Sequence, residues 1–135
     1  MPITFAIDQE RRLVRSKVEG AIAVNDILAH VEAIRGAQAL PFSEIIDANA
    51  ATAPYPTPAE IWRAAGAVEA LKLPPPLGPR AVIASHDVIF GLARIFANRV
   101  WGNLPVQVFR NLESAEEWLA KKSKAPPPGP SPQST

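Results

Sequence analysis

The chain has 135 residues, of which 47% are hydrophobic and 20% charged, with 14 Lys and Arg against 13 Asp and Glu. This length suits one domain, and the apolar content is too high for a disordered chain. The net charge of +1 favours neither nucleic acid nor an anionic membrane as a partner. Because the chain has no cysteine, disulfides, thiol catalysis and cysteine metal sites are excluded. With no apolar run long enough for a transmembrane segment and no recognisable signal peptide, a cytoplasmic protein is expected.

The N-terminal third predicts a hairpin followed by a helix. Apolar residues alternate with small or polar ones over residues 3–7, and partly again over 13–18, which is typical of two antiparallel strands joined by a turn. A helix is then expected to open at Val24, with Asn25 as its N-cap. Its apolar stripe is formed by Ile27, Val31 and Ile34.

The middle of the chain predicts a strand, a loop and a helix. The short apolar run from Glu44 to Asp47 is typical of a central strand that delivers Asp47 to its carboxyl end. A loop of small, polar and proline residues is expected to follow. Thr57 and Glu60, with Pro58 between them, form a capping-box sequence, which predicts a helix start.

The C-terminal half predicts two further strands, each followed by a helix. Strands are expected over 80–84 and 106–109, and Asn111 is expected to cap the last helix. Two inward-facing stripes are predicted for the helices, formed by Ile89, Leu92, Ala93, Phe96 and Val100 in the first and by Ala115, Trp118 and Leu119 in the second. The order β-β-α-β-α-β-α-β-α predicts an α/β fold with a mixed five-stranded sheet and four helices.

The end of the chain differs in composition from the rest. Residues 124–135 are rich in proline and contain one Ala as their only aliphatic side chain, so they cannot bury enough surface to offset the entropy of ordering. We therefore predict a single domain over residues 1–123 and a flexible proline-rich tail over 124–135.

Two C-terminal motifs resemble a known family. They are AVIASHDVIFGLARIF at residues 81–96 and VQVFRNLESAEEWL at residues 106–119, and with the order of elements they resemble the STAS/SpoIIAA-like family of small bacterial proteins. The resemblance covers roughly residues 3–120. Ile95 stands where Met is common in the family, and Asn111 where Asp is common.

The resemblance implies a regulatory or ligand-binding module. Relatives include anti-anti-sigma factors, which dock on a kinase-like anti-sigma factor and are controlled by phosphorylation of a serine. More distant relatives are lipid-transfer domains of the CRAL-TRIO type, which carry an apolar ligand. By position only Thr57 matches the phosphorylated serine. Because the family's Asp-Ser pair is missing and Pro58 follows, we expect Thr57 to be a helix cap and no phosphoswitch.

Catalytic and metal sites find little support in the residue pattern. Ser85, His86 and Asp87 are the residue types of a hydrolase triad, but consecutive residues cannot form its linear hydrogen-bond chain. Ser85 or Asp87 is instead expected to cap a helix. His30 and His86 fall on different predicted elements, with His30 expected on the exposed side of its helix, so neither a metal site nor a cofactor is predicted.

Two hypotheses of function follow. The first is a non-catalytic module that binds a protein partner or a small apolar ligand, as a monomer or a homodimer. The second is a small enzyme or phosphoregulator with its site at the carboxyl ends of the strands, around Asp47, Thr57, His86 and Asp87. We predict the first, with no enzymatic activity. In both cases binding is expected near the carboxyl ends of parallel strands. The residues predicted to bind are Asp47, Asn49, Tyr55, Thr57, Trp62, His86 and Phe90.

Overall fold

The computed structural model describes residues 2–124, which form nine elements in the predicted order. The mixed five-stranded sheet and its four helices confirm the predicted fold class. The predicted proline-rich tail, apart from Lys124, lies outside the described residues. The strands are β1 (Ile3–Asp8), β2 (Leu13–Gly20), β3 (Ser43–Ala51), β4 (Arg80–Ile83) and β5 (Val106–Phe109); the helices are α1 (Val24–Gly36), α2 (Pro58–Ala70), α3 (Asp87–Val100) and α4 (Leu112–Lys124).

The strands lie in the sheet in their order along the chain. β1 pairs with β2 antiparallel, and β2, β3, β4 and β5 are parallel to one another. Because each parallel crossover is right-handed and proceeds in the same direction across the sheet, α1, α2 and α3 all fall on one face. α4 follows the last strand and packs against β4 and β5.

Each face of the sheet has its own hydrophobic core. On the α4 face, Ala81 and Ile83 of β4 are buried with Ala115 and Leu119 of α4, and Trp118 packs against this cluster as predicted. On the other face, the main cluster joins the C-terminal halves of α2 and α3 to β5. Its buried residues are Ala65, Val68, Ala97, Val100, Leu104 and Val106.

Of the caps predicted for the four helices, two are confirmed. Thr57 accepts a hydrogen bond from the Glu60 amide at 3.1 Å, and the Glu60 carboxylate accepts one from the Thr57 amide at 2.8 Å. Asn111 accepts a hydrogen bond from the amide of Ser114 at 2.9 Å.

The prediction of Asn25 as the cap of α1 is wrong. The N-cap is Ala23, whose amide donates to the Asp26 carboxylate at 2.7 Å. The Asp26 carboxylate reaches back to the Ala23 amide, as the acid of a capping box does, so this helix start needs no capping side chain from Asn25.

β3 is longer than the sequence predicts. It continues beyond Asp47 to Ala51, so Asp47 lies within the strand and not at its carboxyl end. The extension arises because Ala50 and Ala51 pair with Glu19 and Gly20 of β2 after a register irregularity. The predicted loop therefore starts four residues later.

Candidate functional site

An apolar cleft lies between the sheet and the three helices on its α1–α3 face. Its volume is about 160 Å³. Its floor is formed by Ile46 of β3 and Val82 of β4, which are partners in the parallel register and are both partly exposed. Its walls and ends include Ile22, Ile27, Val31, Ala51, Thr52, Tyr55, Pro56, Ile61, Ile89, Leu92, Ala93 and Phe96.

The geometry of three helices above four parallel strands explains the cleft. Strands lie about 4.8 Å apart, so β2 to β5 span about 14 Å between their outer axes. Three helices packed side by side at about 8–10 Å need about 16–20 Å. α2 accordingly packs mainly against its neighbours α1 and α3. The space beneath the N-terminal halves of the helices is left incompletely filled.

The apolar stripe of α3 borders the same incompletely filled space. The predicted residues do share one face, but Ile89, Leu92, Ala93 and Phe96 are only half-buried and line the cleft, while Val100 is fully buried. The stripe is therefore a core contact at the C-terminal end of α3 and a cleft wall at its N-terminal end.

The deep end of the cleft is closed by a buried charge network of Ser16, His30, Glu44 and Arg80. Glu44 and Arg80 are 2% and 3% exposed, and the His30 side chain is 9% exposed. One oxygen of Glu44 lies 2.6 Å from Ser16 Oγ and 2.7 Å from His30 Nε2, and the other lies 3.2 Å from Arg80 Nε. This set is called the Glu44 network below.

The Glu44 network holds its carboxyl in the ionised form. Burial by itself raises the pKa of Glu44, but hydrogen bonds from His30 and Ser16 and the positive charges of His30 and Arg80 outweigh it, so the pKa of Glu44 lies below its ordinary value. A carboxylate only accepts hydrogen bonds, so the contacting Nε2 of His30 carries the proton. Burial has the opposite effect on Arg80: it lowers the pKa of the guanidinium, and the charge and hydrogen bond of Glu44 partly offset this.

Arg80 also fixes the loops beneath the cleft. Its Nη1 donates to the carbonyls of Leu40, Phe42 and Gly78 at 2.6–3.0 Å. The backbone at Gly78 passes so close to the Phe42 carbonyl that a Cβ there would collide with it. Within the described residues, every buried side-chain nitrogen and oxygen has a hydrogen-bond partner.

The predicted exposed position of His30 is wrong. The ring turns toward β2 and β3, and Phe5 of β1 packs against it edge-on at 5.7 Å between ring centroids. The sequence gives one signal that was missed. Glu44 and Arg80 stand at the starts of two apolar strand segments, where an acid and a base that become buried must pair.

A second group of polar residues, the strand-end cluster, lies where β3, β4 and β5 end. Its members are Asn49, Ser85, Asp87, Phe90 and Arg110. Asn49 Oδ1 accepts hydrogen bonds from the amide and hydroxyl of Ser85 at 2.8 and 3.0 Å. Arg110 Nη1 donates to Asp87 at 2.6 Å, and its guanidinium lies 3.8 Å from the centroid of Phe90.

The prediction that Ser85 or Asp87 caps α3 is wrong. The N-cap residue is His86, whose side chain makes no capping hydrogen bond. Ser85 is engaged by Asn49, and the hydrogen bond and charge of Arg110 lower the pKa of Asp87 below its ordinary value. The carboxylate of Asp87 still lies in the first turn, where it suits the helix dipole.

The predicted binding residues do not form one site. Tyr55 lines the apolar cleft. Asn49 and Phe90 belong to the strand-end cluster, Thr57 and His86 are at helix starts, and Trp62 is 51% exposed beneath the guanidinium of Arg99.

Asp47 borders a different surface. With Asn49 it lines an open groove of about 480 Å³ on the α4 face, beside Arg15 and Lys17. Its carboxylate accepts a hydrogen bond from the Asn49 amide at 3.0 Å.

Neither a metal-binding cluster nor a membrane-spanning helix is found among residues 2–124. No group of three or more His, Asp or Glu side chains there is arranged to hold a metal ion. None of the helices in this range has the length and apolar content that crossing a membrane requires.

Comparison with known proteins identifies the fold. No family model matches the sequence, and no curated protein matches it. Among solved structures, it is similar to an uncharacterized protein of the DUF3478 family from Shewanella loihica PV-4, described as having a SpoIIAA-like fold. The TM-score is 0.54 with 16% identity over 87% of this chain and 93% of that one. The protein is thus an α/β protein, and its particular architecture is the SpoIIAA-like fold.

Proposed function

We propose that the protein is a non-catalytic binding protein that takes a small apolar ligand into the apolar cleft. The observation that carries the proposal is the partial exposure of Ile46 and Val82 at the centre of the sheet. Central strand residues of a fully packed domain are covered, because exposed apolar surface costs about 25 cal/mol per Å². A ligand that covers this floor recovers that free energy.

The size of the cleft supports a small ligand. An apolar cavity of about 150 Å³ in another protein stays dry and binds benzene. The present cleft, at about 160 Å³, is large enough for a group of comparable bulk. Its lining is dominated by aliphatic and aromatic side chains, as in most small-molecule pockets.

Ser16, His30 and Glu44 are also the residue types of a hydrolase triad, but their contacts support binding in preference to hydrolysis. Ser16 Oγ lies 2.6 Å from Glu44 but 3.4 Å from His30 Nε2, and that same Nε2 is the atom that contacts Glu44. A triad needs serine and acid on opposite nitrogens of the imidazole. We therefore assign the Glu44 network a structural role at the base of the cleft.

Fluorescence of diphenylhexatriene, a neutral apolar probe, tests the proposal. The full chain, stripped of co-purified lipid, is expected to bind one probe per chain with a marked rise in emission. Ala93→Phe and Ala51→Phe each place a ring in the cleft and are expected to weaken binding at least about tenfold, which is about 1.4 kcal/mol.

The matched control is Ala120→Phe, which adds the same ring at an exposed position of α4. It is expected to leave binding unchanged. Circular dichroism melts confirm that each variant is folded. Equal binding by all folded variants would contradict the proposal, because the probe would then sit outside the cleft.

A protein partner, a homodimer and a cytoplasmic location stay predictions. Native mass spectrometry of freshly purified protein measures the first two together with any co-purified small molecule. A retained small molecule in a monomer would support the ligand hypothesis directly.

A further inference from the structure

We infer that the ligand of the apolar cleft is a neutral molecule with a hydrocarbon body and a hydroxyl or ester group at one end, such as a long-chain alcohol, and not a fatty-acid anion. This inference rests on the proposed function and adds the class of ligand. It follows from the apolar lining of the cleft, from the closed charge network at its deep end and from the groups at its mouth.

The body of the cleft suits hydrocarbon. Its lining follows β3 from Glu44 to Ala51, which are seven residues apart and therefore about 23 Å apart at about 3.3 Å per residue. Between these two ends the lining residues of β3 and β4 are Ile46, Ala48 and Val82, so a ligand that lies along β3 meets apolar side chains there.

The deep end offers no hydrogen bond to a ligand. Glu44 is bound by Ser16, His30 and Arg80, and Arg80 donates its remaining hydrogen bonds to backbone carbonyls. A polar ligand group placed there would break one of these bonds and leave a buried charge without its partner. The polar end of the ligand therefore lies at the other end of the cleft.

The mouth of the cleft carries hydroxyl groups. Thr52 and Tyr55, in the segment that joins β3 to α2, line this end. Among the described lining residues, the basic side chains are His30 and Arg80, and both contact Glu44 at the deep end. A hydroxyl or ester group finds hydrogen-bond partners at the mouth, whereas a carboxylate finds no cation among the lining residues.

The helix starts beside the mouth do not replace the missing cation. Asp26 and Glu60 lie in the first turns of α1 and α2, next to the lining residues Ile27 and Ile61. Each carboxylate already accepts a hydrogen bond from a backbone amide of its own helix start. Their negative charges offset the positive helix ends and disfavour a further anion.

Displacement of diphenylhexatriene by decanol and by decanoate tests the inference. The pH is set well above the ordinary pKa of a carboxylic acid, so that decanoate is an anion. Decanol is expected to displace the probe at a concentration at least about tenfold lower than decanoate, because desolvating an unpaired carboxylate is costly. Equal displacement, or tighter binding of decanoate, would overturn the inference.

A pair of Thr→Lys variants separates charge at the mouth from charge elsewhere. Thr52→Lys places a cation at the mouth and is expected to improve displacement by decanoate about tenfold relative to displacement by decanol. Thr4→Lys adds the same charge on β1, outside the cleft lining, and is expected to leave displacement of the probe by either ligand unchanged. An equal gain for decanoate in both variants would contradict a mouth-specific effect.

The outcomes also distinguish this inference from the proposed function. If the probe binds in the cleft but neither decanol nor decanoate displaces it, the ligand with a polar group at the mouth is wrong while an apolar ligand of another kind stands. If the probe does not bind the stripped chain at all, the proposed function itself is wrong.

Discussion

Ile46 of β3 and Val82 of β4 are register partners at the centre of the sheet, and both keep accessible surface on the α1–α3 face. Their neighbours Ile45 and Ile83, which point to the α4 face, are 6% and 4% exposed. One face of the same two strands is therefore sealed by α4, while the other is left open beneath three helices. This asymmetry is the structural basis of the proposed ligand site.

Replacement of Glu44 by Gln is expected to destabilise the protein by about 3–5 kcal/mol, because it leaves the buried guanidinium of Arg80 without its counter-charge. Urea unfolding at neutral pH measures the loss. Glu116→Gln, at an exposed position of α4, is the matched control and is expected to change stability by less than about 0.5 kcal/mol. Similar small changes in both variants would contradict the importance of the Glu44 network.

The contribution of Glu44 should depend on pH. Because its pKa in the folded protein lies below the ordinary value of 4.5, its stabilisation is present above that value and is lost as the pH falls through the lower folded pKa. The difference in free energy of unfolding between wild type and Glu44→Gln is therefore expected to be largest at neutral pH and to shrink in acid. Urea titrations over a pH series measure it, and a difference that grows in acid would contradict the assigned direction.

Truncation of Trp118 to Ala is expected to cost about 3 kcal/mol, at the lower end of the range for large aromatic deletions because the side chain is half-buried. Its ring packs on Phe109 with 5.6 Å between the ring centroids. Trp101→Ala removes an indole that is 48% exposed and is expected to cost less than about 1 kcal/mol. Thermal and urea unfolding of the two variants give the comparison, and equal losses would show that α4 does not depend on this contact.

Thr57→Ala should cost about 0.5–2 kcal/mol through loss of the helix cap. Thr4→Ala on β1 serves as an exposed control with a smaller expected effect.

Intact-mass analysis of protein from its native cells, prepared with phosphatase inhibitors, is expected to show no phosphorylated species at Thr57. A substantial species phosphorylated at Thr57 would instead favour partner-switching regulation.

Local features of the fold could be predicted because neighbouring residues determine them. The capping box of Thr57 and Glu60 and the cap by Asn111 depend on spacings of three residues, and both are present. The cap of α1 could not be predicted in this way, because its N-cap residue is Ala23, whose side chain accepts no hydrogen bond, and the contact at this helix start is made by the carboxylate of Asp26.

Long-range features could not be derived in the same way. The partners of Glu44 come from β2, α1 and β4, so they depend on the strand register and on the rotation of α1. The cleft could not be predicted from the sequence for a different reason. The apolar stripe of α3 has the same sequence pattern whether its residues fill a core or line a cavity, and only the packing of α2 decides which occurs.

Methyl NMR of the full chain during titration with decanol tests the central claim most directly. The methyl groups of Ile46 and Val82 are expected to shift together in a saturable manner, since both form the floor of the cleft. The methyl groups of Ile45 and Ile83, on the opposite face of the same strands, are expected to stay in place. Shifts confined to Ile45, Ile83 and other residues of the α4 face, or no saturable shift at Ile46 and Val82, would contradict a ligand site in the apolar cleft.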